Sequence, residues 1–235
     1  MLGIIHILSP LIYYGYVKLL TNTCKPCPDS ATMKYYKRIH NIILSILSFV
    51  MLFAMLVYNI IDDKISSYED IVCKQYKSTD SIEFIGYTFF YSKYIEWLDT
   101  LFLYLSGREI TSLQYNHHMT TAVLTYFNMR YFISPSLLVF MGLNCFVHIP
   151  MYWYFAYPRG FLKKYRKLIT IIQILQHIIA LSTTIYVLFI KQFVSCNHSK
   201  FGIQLGFCLY VMNLVYFTQF FIKTYLAKRQ IKKNN

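Results

Sequence analysis

The feature that most limits what this chain can fold into is a series of long apolar runs separated by short basic segments. About 20 apolar residues in helical form span the hydrocarbon core of a bilayer. Inside lipid, only helices or closed barrels satisfy their own backbone, and these runs are far longer than the roughly 10-residue strands of a barrel. The pattern predicts an all-α polytopic membrane protein, a single domain over residues 1–235. Seven transmembrane helices are expected at about 2–20, 39–61, 81–106, 112–128, 132–155, 168–190 and 201–226. Pro10 falls inside the first run, Pro26 and Pro28 break the polar loop 21–38, and Pro135 opens the fifth run, where proline is tolerated.

Composition excludes the ordinary alternatives. The chain is 56% hydrophobic and 14% charged, against roughly 25% charged for a soluble domain. The formal charge of +13 is spread over many loops, unlike the single basic face of a nucleic-acid-binding domain, so no nucleic-acid partner is expected. Cys24 and Cys27 form a C-x-x-C without the second pair that a structural metal site requires. The first run lacks a basic leader and a small-residue cleavage site, which argues against a signal peptide.

Basic residues orient the chain. With the C-terminus in the cytosol and seven alternating spans, most of the 23 lysines and arginines fall on the cytosolic side, as the positive-inside rule requires. Cys73 and Cys196 then share the opposite side. If that side is the oxidising lumen of the endoplasmic reticulum, a disulfide between them is expected; two free thiols near the interface are the alternative.

The polar residues inside the spans carry the functional signal. Gln114, His117, His118 and Thr121 follow helical spacing on the fourth span. Lys93, Glu96, Asp99 and Thr100 do so on the third, Asn144, His148, Met151 and Tyr152 on the fifth, and Thr170, Gln173, Gln176 and His177 on the sixth. At 1.5 Å per residue, all four stripes reach one level roughly 8–11 Å below the cytosolic boundary. Ionisable residues at that depth need a shared polar chamber, although interhelical hydrogen bonding is an ordinary use of Asn, Gln, Thr and His in membranes.

Histidine can act there as base, acid, nucleophile or metal ligand. A histidine-rich di-iron oxygenase is one reading, but at most four of the seven histidines share the chamber level. A metal-free acyl-transfer site needs fewer. A receptor or transporter of seven spans is the non-enzymatic alternative, and predicts polar groups nearer the midplane.

The residues also carry a resemblance. Lys93-Tyr-Ile-Glu96-Trp-Leu-Asp99-Thr100 resembles the K-x-x-E-x-x-D-T motif of the ELO family of very-long-chain fatty acid elongases. Gln114 to His118 falls where that family has H-x-x-H-H, with Gln114 in place of the first histidine. Asn144 to Tyr154 resembles N-x-x-V-H-x-x-M-Y-x-Y, and Thr170 to Gln176 resembles T-x-x-Q-x-x-Q. The resemblance covers nearly the whole chain and looks closest to the branch acting on saturated and monounsaturated chains. It implies six of seven helices around a narrow acyl tunnel, and a 3-oxoacyl-CoA synthase that condenses acyl-CoA with malonyl-CoA without a bound cofactor or metal. His117, His118 and His148 would be catalytic, His117 attacking the thioester. Lys93, Glu96, Asp99, Gln114, Asn144, Tyr152, Gln173 and Gln176 would form the surrounding polar network.

Arg159, Lys163, Lys164, Arg166 and Lys167 sit at the expected chamber mouth as candidates for the CoA phosphates. The terminal Lys232-Lys233-Asn-Asn resembles a dilysine retrieval signal, implying an endoplasmic reticulum membrane protein. Other enzymes of the elongation cycle are the expected partners, and a homo-oligomer is compatible with the sequence.

Overall fold

A computed structural model describes residues 2–28, 30–61, 68–73, 80–129, 135–190 and 199–227. Cys196, Lys232 and Lys233 lie outside these described residues, as do the Arg130 and Lys191 loops. The described segments are helical, with no strand among them. Ten α-helices follow in order: α1 Leu2–Ile7, α2 Ser9–Thr23, α3 Ala31–Ile61, α4 Tyr68–Cys73, α5 Asp80–Ile95, α6 Trp97–Leu105, α7 Ser112–Met129, α8 Pro135–Ala156, α9 Arg166–Ile185 and α10 Lys200–Phe221. A 3₁₀ turn, Phe161–Tyr165, leads into α9, and π-helical turns extend α9 over Tyr186–Ile190 and α10 over Ile222–Ala227.

Several boundaries differ from those read off the apolar pattern, each for a local reason. The first run is two helices broken at Leu8, because Pro10 takes up the start of α2, where its missing N–H costs nothing. Residues 31–38 are helix rather than loop. Ser30 Oγ accepts the Met33 N–H at 3.2 Å and starts α3 just past the prolines, and Lys34, Lys37 and Arg38 are good helix formers that lengthen it at this end. The third run breaks at Glu96, where the Asp99 N–H bonds the Glu96 carbonyl three residues back at 3.0 Å and tightens one turn. The short helix α4 interrupts the loop expected at 62–80, and much of the basic loop 157–167 is 3₁₀ and α-helical.

Among the described residues, four helical segments are long and apolar enough to cross a membrane: Ala31–Val57, Leu137–Ala156, Phe161–Ile190 and Lys200–Ala227. The break at Glu96 and the many polar residues of α7 keep those two regions out of this set. Helix contacts close a ring in the order α3, α5, α7, α10, α9, α8 and back to α3, while α1 and α2 pack against α7 and α6 without joining it. Large apolar side chains point outward, with Phe49, Phe53 and Phe84 57%, 60% and 74% exposed. Polar ones such as Ser45, Ser48, Lys93, Glu96 and His148 are buried. An apolar exterior around a polar interior suits lipid and would be a liability in water. Ser45 of α3 donates to the Ile149 carbonyl of α8 at 2.9 Å, beside the helix-interior Pro150.

Candidate active site

The break at Glu96 turns Lys93 and Glu96 toward α8, while Asp99 faces both α3 and α8. Lys93 Nζ donates to Glu96 Oε1 and to Asn144 Oδ1, each at 2.7 Å. Ammonium has only donors, so Asn144 must turn its oxygen to Lys93 and its amide nitrogen to His148. That nitrogen lies 3.0 Å from His148 Nε2, which therefore accepts. The His148 proton is left on Nδ1, 3.6 Å from Glu96 Oε1. One buried lysine thus sets the orientation of an amide and the tautomer of an imidazole on a different helix.

Asp99 organises a second group. Its Oδ1 accepts from His40 Nε2 at 2.8 Å, and its Oδ2 accepts from Tyr152 Oη at 2.8 Å. His118 Nε2 stands 4.0 Å from Oδ2. The His148 and Tyr152 rings meet edge to face at 5.1 Å, joining this group to the Lys93 group. Next to it, Tyr13 Oη lies 2.6 Å from Thr100 Oγ1, and both residues are fully buried. Trp97 Nε1 donates to the His118 carbonyl at 3.1 Å.

His117 and His118 are neighbours in sequence but not in surroundings. Adjacent helical residues are about 100° apart around the axis, and the two rings are 5.5 Å apart and nearly perpendicular. His118 faces Asp99. His117 faces the interior of the ring, toward His177 at 6.4 Å and Phe217 at 6.3 Å. There it lines a cavity of about 60 Å³ together with Lys93, Thr121, Asn144, Gln176, His177 and Asn213. The same cavity wall continues along α7 through Thr125 to Asn128, one helical face about 16 Å long at 1.5 Å per residue. Leu137, Phe140 and Ala180 belong to its apolar lining.

The remaining sequence candidates are distributed more loosely. Gln176 lines the cavity, whereas Gln173 donates to Met151 Sδ at 3.2 Å. Gln114 lies one turn before His117; its backbone N–H bonds Thr111 Oγ1 at 3.2 Å, and no side-chain hydrogen bond of Gln114 is found among the described residues. Lys163, Lys164 and Arg166 surround an open surface hollow with Gly160 and Phe161. Arg159 is exposed nearby, and Lys167 Nζ sits 5.5 Å from the Phe221 ring instead. Cys73 is buried and disulfide-bonded; its expected partner Cys196 lies outside the described residues. Among the described residues, no three His, Cys, Asp or Glu side chains converge as a metal site.

Two site residues fall outside the motifs. His40 binds Asp99 directly, and its signal was the helical spacing of Lys37, Asn41, Ser45 and Ser48 around it, a fifth polar stripe on an otherwise apolar run. His177 follows Gln176, the last residue of its motif, and faces His117 across the cavity.

Comparison with known proteins adds an independent finding. Residues 3–233 match the model of the ELO, GNS1/SUR4, family. The chain is 30% identical to "Fatty acid elongase A" of Dictyostelium discoideum over 244 residues, covering 97% of this chain and 87% of that protein. It is 33% identical to "Long chain fatty acid elongase 2" of Caenorhabditis elegans over 69% of this chain and 61% of that protein. It is 30% identical to "Fatty acid elongase 3" of Trypanosoma brucei over 59% of this chain and 48% of that protein. The matches to the worm and trypanosome proteins thus span less than two thirds of those relatives' length.

Proposed function

The chain belongs to the ELO (GNS1/SUR4) family, whose members matched above are fatty acid elongases, and from that premise we propose that it catalyses the condensing step of elongation. An acyl-CoA and malonyl-CoA would give a 3-oxoacyl-CoA two carbons longer, CoA and carbon dioxide. The observation that carries this reading is the position of His117, on the wall of a cavity lined by polar groups such as Lys93, Asn144 and Gln176 and by apolar ones such as Leu137, Phe140 and Ala180. At about 60 Å³ the cavity would admit the thioester carbonyl and the first methylenes, and the rest of the acyl chain would need the helices of the ring to part.

The chemistry proceeds in two halves. His117 attacks the thioester carbonyl; a C–N bond forms, the C–S bond breaks, and CoA leaves. Malonyl-CoA then loses carbon dioxide, and its C2 carbanion attacks the acyl carbon. A C–C bond forms, the C–N bond breaks, and His117 is regenerated. His118, held against Asp99, and His148, with its tautomer set by Asn144, orient groups and move protons. No metal or redox cofactor enters this scheme.

The same reading places seven spans in the endoplasmic reticulum membrane, with the cytosolic C-terminus ending in Lys232 and Lys233. The α1–α2 pair, the α5–α6 pair and α7 would complete the set begun by the four long helices, and the helix ring would enclose the acyl tunnel. Lys163, Lys164 and Arg166 would receive the CoA phosphates from the cytosol. Other enzymes of the elongation cycle would supply the acyl-CoA and reduce the product.

The test is purified protein with labelled malonyl-CoA and a panel of saturated acyl-CoAs. The expected product is 3-oxoacyl-CoA, with CoA released from acyl-CoA alone before malonyl-CoA is added. If no acyl-CoA yields a 3-oxoacyl product, the condensing reading fails. If CoA appears only in the presence of malonyl-CoA, the covalent half-reaction fails.

A further inference from the structure

His117 of α7 and His177 of α9 face one cavity from different walls, their rings 6.4 Å apart and at 80° to each other. The Nδ1 atom of each is buried and without a hydrogen-bond partner, which leaves Nε2 as the nitrogen each ring can present to the cavity. Their other neighbours differ. Asn213 of α10 lies beside His117, and the Asn213 Oδ1, like His117 Nδ1, is buried and unpaired. An imidazole Nδ1 and an amide oxygen that only accepts satisfy each other when the His117 proton is on Nδ1, and that tautomer leaves a lone pair on Nε2.

His177 packs instead among aromatic rings, Phe217 at 5.0 Å and Tyr210 at 6.3 Å. Among the described residues nothing accepts from its Nδ1. A buried N–H without an acceptor is rarer than a buried acceptor without a donor, so the His177 proton belongs on Nε2, toward the cavity. A nucleophilic lone pair and an N–H donor thus approach the same space from separate helices. Lys93, a charged donor on this wall, has its ammonium held at 2.7 Å by both Glu96 and Asn144.

We propose that His177 is a catalytic hydrogen-bond donor that holds the thioester oxygen while His117 attacks the carbonyl carbon. The proposal rests on the condensing reading above. As the C–N bond forms, the carbonyl π pair moves onto oxygen, where the His177 N–H stabilises it. Collapse of that oxyanion breaks the C–S bond and expels CoA as its thiolate, and His177 keeps its proton throughout. A ring separation of 6.4 Å leaves room for a carbonyl with its carbon about 3 Å from one nitrogen and its oxygen about 2.9 Å from the other.

The experiment compares wild type, His177→Phe and His177→Gln in rapid-quench assays of CoA release from acyl-CoA alone, alongside steady-state kinetics and thermal unfolding. Loss of one oxyanion donor slows such reactions about 10²–10³-fold. The phenylalanine variant is expected to lose about that much in kcat and in the release step, with KM for acyl-CoA changed less than about threefold. Glutamine, which keeps an N–H donor, should recover at least roughly tenfold of the loss. His177→Met serves as the donor-free variant if phenylalanine does not fold.

A donor-free variant that releases CoA within about threefold of wild type overturns the proposal. So does an equal loss in the glutamine and donor-free variants when both unfold like wild type. A wild-type protein that makes no 3-oxoacyl-CoA overturns the condensing reading, and this proposal with it.

Discussion

His40 Nε2 lies 2.8 Å from Asp99 Oδ1, bringing an imidazole from α3 into the polar cluster carried by α6 and α8. Asp99 also accepts from Tyr152 and stands near His118, so His40 is one of the contacts that fix its carboxylate. His40→Leu is expected to destabilise the protein by roughly 1–3 kcal/mol, the cost of a part-buried carboxylate losing a partner. His40→Gln, which retains an N–H donor, should recover much of this. Chemical unfolding in detergent checks both, and a leucine variant as stable as wild type would show that the contact contributes nothing.

The Lys93–Glu96 pair should behave asymmetrically. Both side chains are almost fully buried, and removing one partner leaves an uncompensated charge. Lys93→Met is therefore expected to cost roughly 3–5 kcal/mol, whereas the double change Lys93→Met with Glu96→Gln should cost clearly less. A double-mutant cycle on unfolding midpoints measures the difference. Activity should fall in both, since Asn144 and His148 lose the contact that orients them.

Gln114→His places an imidazole one turn from His117, at a position without a side-chain hydrogen bond among the described residues. Activity in the acyl-CoA and malonyl-CoA assay should stay within about threefold of wild type, because the proposed chemistry runs through groups further along α7. Loss of all activity in a folded variant would locate the reaction elsewhere.

Substitution of Lys163, Lys164 and Arg166 together by alanine should raise KM for both CoA substrates and leave kcat nearly unchanged. These side chains are exposed around an open hollow, so their attraction for phosphate is screened by salt. The KM difference from wild type should shrink as ionic strength rises. An unchanged KM at low salt would remove the hollow from the CoA path.

Much of the fold was legible because lipid imposes a simple rule. Apolar runs must be helices, and residues such as Lys93, Glu96 and Asp99 inside such runs must meet partners. Helical spacing put the polar stripes on faces, and the ring of helices gathers Lys93, Glu96, Asp99, Asn144, His148 and Tyr152 as hydrogen-bonded neighbours. Break points were less legible. Pro10 could have kinked one helix or started another, and Glu96 carries no residue signal for the turn it makes.

His117 and His118 show where sequence reading stops. Their adjacency suggested a matched pair, yet a helix turns neighbouring residues about 100° apart. One ring joins the Asp99 cluster and the other lines the cavity opposite His177. The sequence by itself determined the helical membrane class and the family, because periodicity and local composition encode those. Only the tertiary structure decided that His40 closes on Asp99, that Asn144 sets the His148 tautomer and that His177 faces His117. Those relationships depend on which faces of separate helices meet, and spacing within one helix does not specify its partner.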